Sequence, residues 1–140
     1  MLTRIAHKWR AIGPTVGPKA NWSIDPRLIL GKDVEMLFAI YGLDAPGKLS
    51  TRLEVRPENL KFLEQAEAKM LVAGPLLDQS REKMTGSLII VDFPTREDVE
   101  DWVASSPLTK AGVYQHVEIH EFTVKWPRDL ASSLGGNAEK

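Results

Sequence analysis

The chain contains no cysteine. Disulfides, thiolate catalysis and cysteine-based zinc sites are therefore excluded. It has no apolar run approaching the roughly 20 residues that a membrane-spanning helix needs. It has no excess of basic charge either. The formal net charge is -1 over 140 residues, which leaves no electrostatic footprint for nucleic acid. Gly-rich phosphate loops, a Ser-His-Asp order and clusters of metal ligands are missing too. No cofactor and no metal is expected. The apolar and charged fractions, 43% and 26%, are ordinary for a globular protein, and this length fits one domain with a core of its own.

One absence is local. Met1 to Ile24 holds no acidic residue, but does hold Arg4, Lys8, Arg10 and Lys19. Leu2, Ile5, Trp9 and Ile12 recur at helical spacing until Gly13-Pro14 and Gly17-Pro18 break the pattern. An acid-poor amphipathic start of this kind has the character of a mitochondrial presequence. A second reading fits equally well. Met36 can be the natural first residue, because codons for Lys32-Asp33 permit a ribosome-binding sequence just upstream. Residues 1–35 are then translated leader sequence, an irregular arm in either case. The expected location is the bacterial cytoplasm, with the mitochondrial matrix as the alternative if the arm is a presequence.

From Met36 onward the pattern is regular. Met36 to Tyr41 is an apolar run closed by Gly42 and Pro46, which suits a buried strand. Asp44 to Lys48 has the chemistry of a turn. Arg56-Pro57 has the look of a helix start, followed by Leu60, Leu63 and Met70 on one face. Leu71 to Leu77 is a strand interrupted by Gly74-Pro75, and an internal Pro places it at a sheet edge or bulge. Gly86 to Phe93 is a third strand. Thr95 and Asp98 form a capping box ahead of a helix carrying Val99, Trp102 and Val103. Pro107 to Gly112 is a short turn, and Val117 to Val124 the last strand. Ser132 to Lys140 is small and polar, so residues 128–140 are expected to be a flexible tail.

The order is β-α-β-β-α-β, an α+β, ferredoxin-like unit with a four-stranded antiparallel sheet. Two helices cover one sheet face. Strands apolar on both sides leave the other face in need of a layer, and a second copy of the chain is the simplest supplier. A homodimer through the sheet faces is the expected assembly.

Six motifs stand in fixed order: MLFAIYGLDAPG, RPENLKFL, AGPLL, TGSLIIVD, SSPLTKAG and HVEIHEF, spanning 36 to 122. Their sequence resembles the YciI-like family, small proteins of the dimeric α+β barrel class. The resemblance implies a YciI-like domain at 36–127 and a cleft for a small, anionic or enolisable ligand. Related enzymes eliminate from or isomerise small oxygenated rings or lactones. The family carries a His in the phrase Arg-Pro-x-His-Leu and an Asp in Asp-Pro-Tyr/Phe. Here these positions hold Asn59 and Ser106, so the acid/base pair is absent. Asn59 can hydrogen-bond but cannot shuttle a proton, and Ser106 cannot supply the charge that would orient a base. The chain reads as a weak lyase or isomerase at most. The alternative is a non-catalytic binding or assembly subunit.

Further candidates for the cleft are Tyr41, Asp44, Arg52 and Arg56. Arg56 matches the family Arg, and a guanidinium there can hold a carboxylate or enolate two-pronged. The bland alternative for both arginines is a surface pair with Asp44, Glu54 or Glu58. Ser106 equally reads as a cap for the Pro107 turn. His116, Glu118 and His120 alternate onto one strand face. His120 replaces the missing base only if that face borders the cleft; otherwise the trio is a solvated strand surface. Trp102 and Trp126 read as core or interface aromatics.

Overall fold

The computed structural model describes residues 36–135. The two readings of residues 1–35 fall outside the described residues. Four strands form one antiparallel sheet: β1 Leu37–Asp44, β2 Met70–Leu77, β3 Met84–Asp92 and β4 Tyr114–Phe122. Their spatial order is β2-β3-β1-β4. The helices are α1 Leu49–Gln65, α2 Arg96–Ala104, α3 Pro107–Lys110 and α4 Arg128–Ser133. The ferredoxin-like order read from the sequence is the observed one. Pro75 lies on β2, an edge strand, where its missing N–H costs no ladder bond in the sheet interior.

Strand alternation divides the sheet into two unlike faces. Phe38, Ile40 and Val91 point to the helices and join Phe93, Val99 and Val103 in the main core. Phe38, Val91 and Val99 have no exposed surface, and each such side chain contributes about 1.5–3 kcal/mol of apolar burial. Trp102 closes this core by stacking on Phe62, with ring centroids 5.0 Å apart. The Thr95 hydroxyl accepts from the Asp98 amide at 3.1 Å, as a capping box requires.

The opposite face is not wholly bare. Leu37, Val124 and Ala131 form a second buried cluster, with Leu71, Ile90, Leu130 and Leu134 packed against it. Thus α4 covers one end of the sheet, and the expected flexible tail is corrected over residues 128–134. The polar composition misled because α4 contributes little apolar surface: Leu130 and Ala131 suffice. Beyond α4's cover, Tyr41, Val72, Leu88 and Phe122 remain 37–47% exposed on this face. Trp126 is exposed, not core.

The first helix also departs from expectation. It begins at Leu49 and carries Pro57 in its interior. An interior Pro forgoes one helical hydrogen bond and crowds the preceding turn, at a cost of about 3 kcal/mol in an isolated helix. Here the turn upstream of Pro57 is held by tertiary contacts through Arg52. The expected turn at Pro107 is instead the short helix α3.

Candidate functional site

A cavity of about 250 Å³ lies between the sheet and the helices. Its floor includes Ile40, Ala73 and Ile89, and Ser87 and Tyr114 add hydroxyls. Its helical wall carries Arg52, Arg56, Asn59 and Phe62 from α1, Trp102 from α2, and Ser106 just past the end of α2. Among the described residues, no acidic side chain lines it. Because α1 starts at Leu49 instead of near Arg56, Arg52, Arg56 and Asn59 share one continuous helix. Their spacing of four and three residues puts them on one face.

Arg52 anchors this wall. Its Nε donates to Asp44 Oδ2 at 2.7 Å and its Nη2 to Asp44 Oδ1 at 3.0 Å. The two side chains are only 6% and 7% exposed. The same Nη2 donates to Ser87 Oγ at 2.8 Å. Ser87 Oγ lies 2.8 Å from Tyr114 Oη. Burial pushes the Tyr114 phenol above its ordinary range, against a smaller opposing effect of the hydrogen bond to Ser87. Gly42 makes this arrangement feasible. A Cβ there would sit 2.6 Å from the Tyr114 ring, so only glycine lets Tyr114 on β4 reach across β1 toward β3.

The other arginine is differently placed. Arg56 makes no ion pair among the described residues, with Glu54, Glu58 or any other carboxylate. Its one partner is Met84 Sδ at 3.6 Å. Asn59 is half-buried at the cavity wall and makes no side-chain hydrogen bond among the described residues. Ser106 is buried and its Oγ accepts from the Leu108 amide at 3.2 Å, capping α3. Ser106 thus caps a helix, as one sequence reading expected, and also lines the cavity.

Arg52, Arg56, Asn59 and Ser106 thus meet around one space. Asp44 does not line it, but holds Arg52 in place. Tyr41 and His120 are corrected: both project from the opposite sheet face. Tyr41 pairs with Glu118, and His120 with Ala39, while their neighbours Ile40 and Ile119 face the helices. His116 and His120 each lie 2.9 Å from a Glu118 oxygen. Hydrogen bonds from His120 and then His116 hold the Glu118 carboxyl below its usual range. That trio is a surface cluster on the sheet face away from the cavity, so His120 is not placed to act as a base there. Sequence reading did not single out Ser87 and Tyr114. The available signal was Ser87 itself, a hydroxyl set directly against the apolar run LIIV within the strand.

The model of the YCII-related domain matches residues 36–123. Over 94 residues the chain is 36% identical to Protein YciI of Escherichia coli O6:H1, covering 62% of this chain and 96% of that protein. It is 37% identical over 94 residues to an uncharacterized protein of Haemophilus influenzae, again covering 62% of this chain and 96% of that one. Among solved structures, it resembles 5-chloro-2-hydroxyhydroquinone dehydrochlorinase from Burkholderia phenoliruptrix, determined in complex with 2,5-dihydroxybenzoquinone. The TM-score is 0.60 at 34% identity, with 63% of this chain and 94% of that chain covered. Residues past 123, α4 among them, lie outside the family match.

Proposed function

The chain belongs to the YCII-related domain family, and from that we propose that its cavity binds a small, anionic, oxygenated ring compound by hydrogen bonds and charge. The observation that carries this reading is the convergence of Arg56 and Asn59, neither engaged with a carboxylate among the described residues, on a cavity that no described acidic side chain lines. A volume near 250 Å³ falls just below the roughly 300–1,000 Å³ usual for drug-sized ligands, which suits a single ring. Arg56 offers a fork of N–H donors to paired oxygens. The resemblance to a structure holding 2,5-dihydroxybenzoquinone supplies a concrete probe. Proton transfer by the family's acid/base pair is not open to this chain, because Asn59 and Ser106 occupy those positions.

Isothermal titration with 2,5-dihydroxybenzoquinone tests the reading. The natural chain should bind the dianion, and Arg56→Ala should weaken binding about 10- to 100-fold, the range for a charge-assisted hydrogen bond. Salt should weaken the natural chain's binding more than the variant's. If the natural chain binds neither this ring nor simpler ring anions, and Arg56→Ala changes nothing, the cavity is not a ligand site. The chain is then better described as a binding or assembly subunit.

We also propose that two copies pair through the sheet face bearing Tyr41, Val72, Leu88 and Phe122, whose exposure leaves an apolar surface that water covers poorly. Leu88→Glu should convert the dimer to monomer in sedimentation at micromolar concentration without unfolding it, since Leu88 is already 40% exposed. A natural chain that sediments as a monomer would rule the pairing out. The curated relatives compared above are bacterial, and among the described residues no helix is long and apolar enough to cross a membrane.

A further inference from the structure

Ser87 and Tyr114 carry two hydroxyl protons and share one hydrogen bond, 2.8 Å long. Arg52 Nη2 is a donor only, so Ser87 Oγ must accept from it at 2.8 Å. One hydroxyl proton is spent between Ser87 and Tyr114. Among the described residues no acceptor takes the other. Both residues line the cavity, and Ser87 is only 7% exposed. Whichever way the shared bond runs, one O–H is left over. If Tyr114 donates to Ser87, the Ser87 proton is free. If Ser87 donates to Tyr114, the Tyr114 proton is free.

We infer that the Ser87–Tyr114 pair, polarised by Arg52, is an oxygen-binding donor on the cavity floor that takes a carbonyl, enolate or phenolate oxygen of the ligand. This rests on reading the cavity as a small-molecule site, and it specifies the ligand's chemistry. The floor presents a hydroxyl donor and the helical wall presents the Arg56 guanidinium. A ligand that satisfies both is an oxygen acceptor on two sides of one ring. Ring alcohols and amines, which bring donors of their own, are disfavoured. Arg52 strengthens the donor, because a hydroxyl that accepts from a cation gives up its own proton more readily to an acceptor. Burial keeps the Tyr114 phenol protonated, so the pair remains a donor through the neutral and mildly alkaline range. Asp44 holds Arg52 from behind, out of the cavity, and the carboxylate does not compete for the free proton.

The pair has an unusual mutational signature. Tyr114→Phe leaves the Ser87 hydroxyl, still fed by Arg52, with its proton free. Ser87→Ala leaves the Tyr114 hydroxyl with its proton free. Only Ser87→Ala/Tyr114→Phe removes the donor. In titrations with 2,5-dihydroxybenzoquinone, each single variant should weaken binding about 3-fold and the double variant at least about 30-fold, beyond the product of the singles. The ring's visible absorption should shift on binding to the natural chain and to each single variant, but not to the double. A double variant no worse than the product of the singles, with an unchanged absorption shift, overturns the inference. Should the natural chain bind no ring anion at all, the proposed function fails, and a high-resolution crystal structure of the unliganded chain decides this point by itself. An ordered water oxygen is then expected about 2.6–3.2 Å from Ser87 Oγ or Tyr114 Oη and remote from other donors. Hydroxyls with no such oxygen in reach would refute the free donor.

Discussion

Asn59→His combined with Ser106→Asp should raise proton exchange at the ring carbons of a bound enolisable compound by about 10²–10⁴, the usual worth of a positioned general base. The measurement is deuterium uptake by the probe in D2O, followed by NMR, at matched saturation of natural and substituted chains. Both positions line the same cavity, so the new imidazole and carboxylate enter one space. Ser106→Asp should preserve the local fold. Ser106 Oγ caps α3 by accepting from the Leu108 amide, and Asp is as good an N-cap as Ser. An Asp at position 106 would therefore keep the cap and add only a charge. His120→Ala should leave exchange unchanged, because His120 lies on the far sheet face. If the natural chain exchanges protons as fast as the doubly substituted one, and Asn59→Ala has no effect, the idea of a missing acid/base pair is dead.

Arg52→Ala should destabilise the domain by about 3–5 kcal/mol, the cost of stranding one member of a buried ion pair. Asp44 would keep its charge at 7% side-chain exposure with no guanidinium to face it, and Ser87 would lose a donor. For a domain of about 100 residues this corresponds to a melting temperature lower by more than about 12 °C. The sharper comparison is Asp44→Leu/Arg52→Met, which removes both charges and fills the space. That double substitution should recover most of the loss, since replacing a buried pair by apolar groups is often neutral. A loss under about 1 kcal/mol for Arg52→Ala, measured by urea unfolding, would mean that the pair is solvated and does not organise the site. The recovered double variant should still bind ring anions poorly, because the Ser87–Tyr114 hydroxyls would no longer be polarised.

The strands were legible because apolar residues alternate or run together between Gly and Pro, and the α2 cap because Thr95 and Asp98 stand three apart. Pro75 marked its strand as an edge. Each is a local rule, satisfied within a few residues. The helix start was misplaced because Pro57 obeys a local preference for first turns that tertiary contacts outweigh: the Arg52–Asp44 pair holds the helix together upstream of the proline. The tail was misjudged for a related reason. A helix with little apolar surface of its own is stabilised by Leu37, Leu71 and Ile90, which sequence distance hides.

The same division applies to the site. By itself, the sequence determined the element order and named Arg52, Arg56, Asn59 and Ser106 as cleft candidates, but it started the helix near Arg56; the structure begins it at Leu49 and so puts Arg52, Arg56 and Asn59 on one helical face. The sequence also assigned Tyr41 and His120 to alternating strand positions, but alternation names two faces without saying which one the helices cover. Only the tertiary structure decided that, by packing Phe38, Ile40 and Ile119 against α2 and so turning Tyr41 and His120 away from the cavity. It alone joined Ser87 to Tyr114, 27 positions apart in the chain, across a glycine that leaves room for the ring. Pattern fixes what a residue's neighbours along the chain allow; which distant hydroxyl completes a hydrogen bond depends on how the sheet closes against its helices.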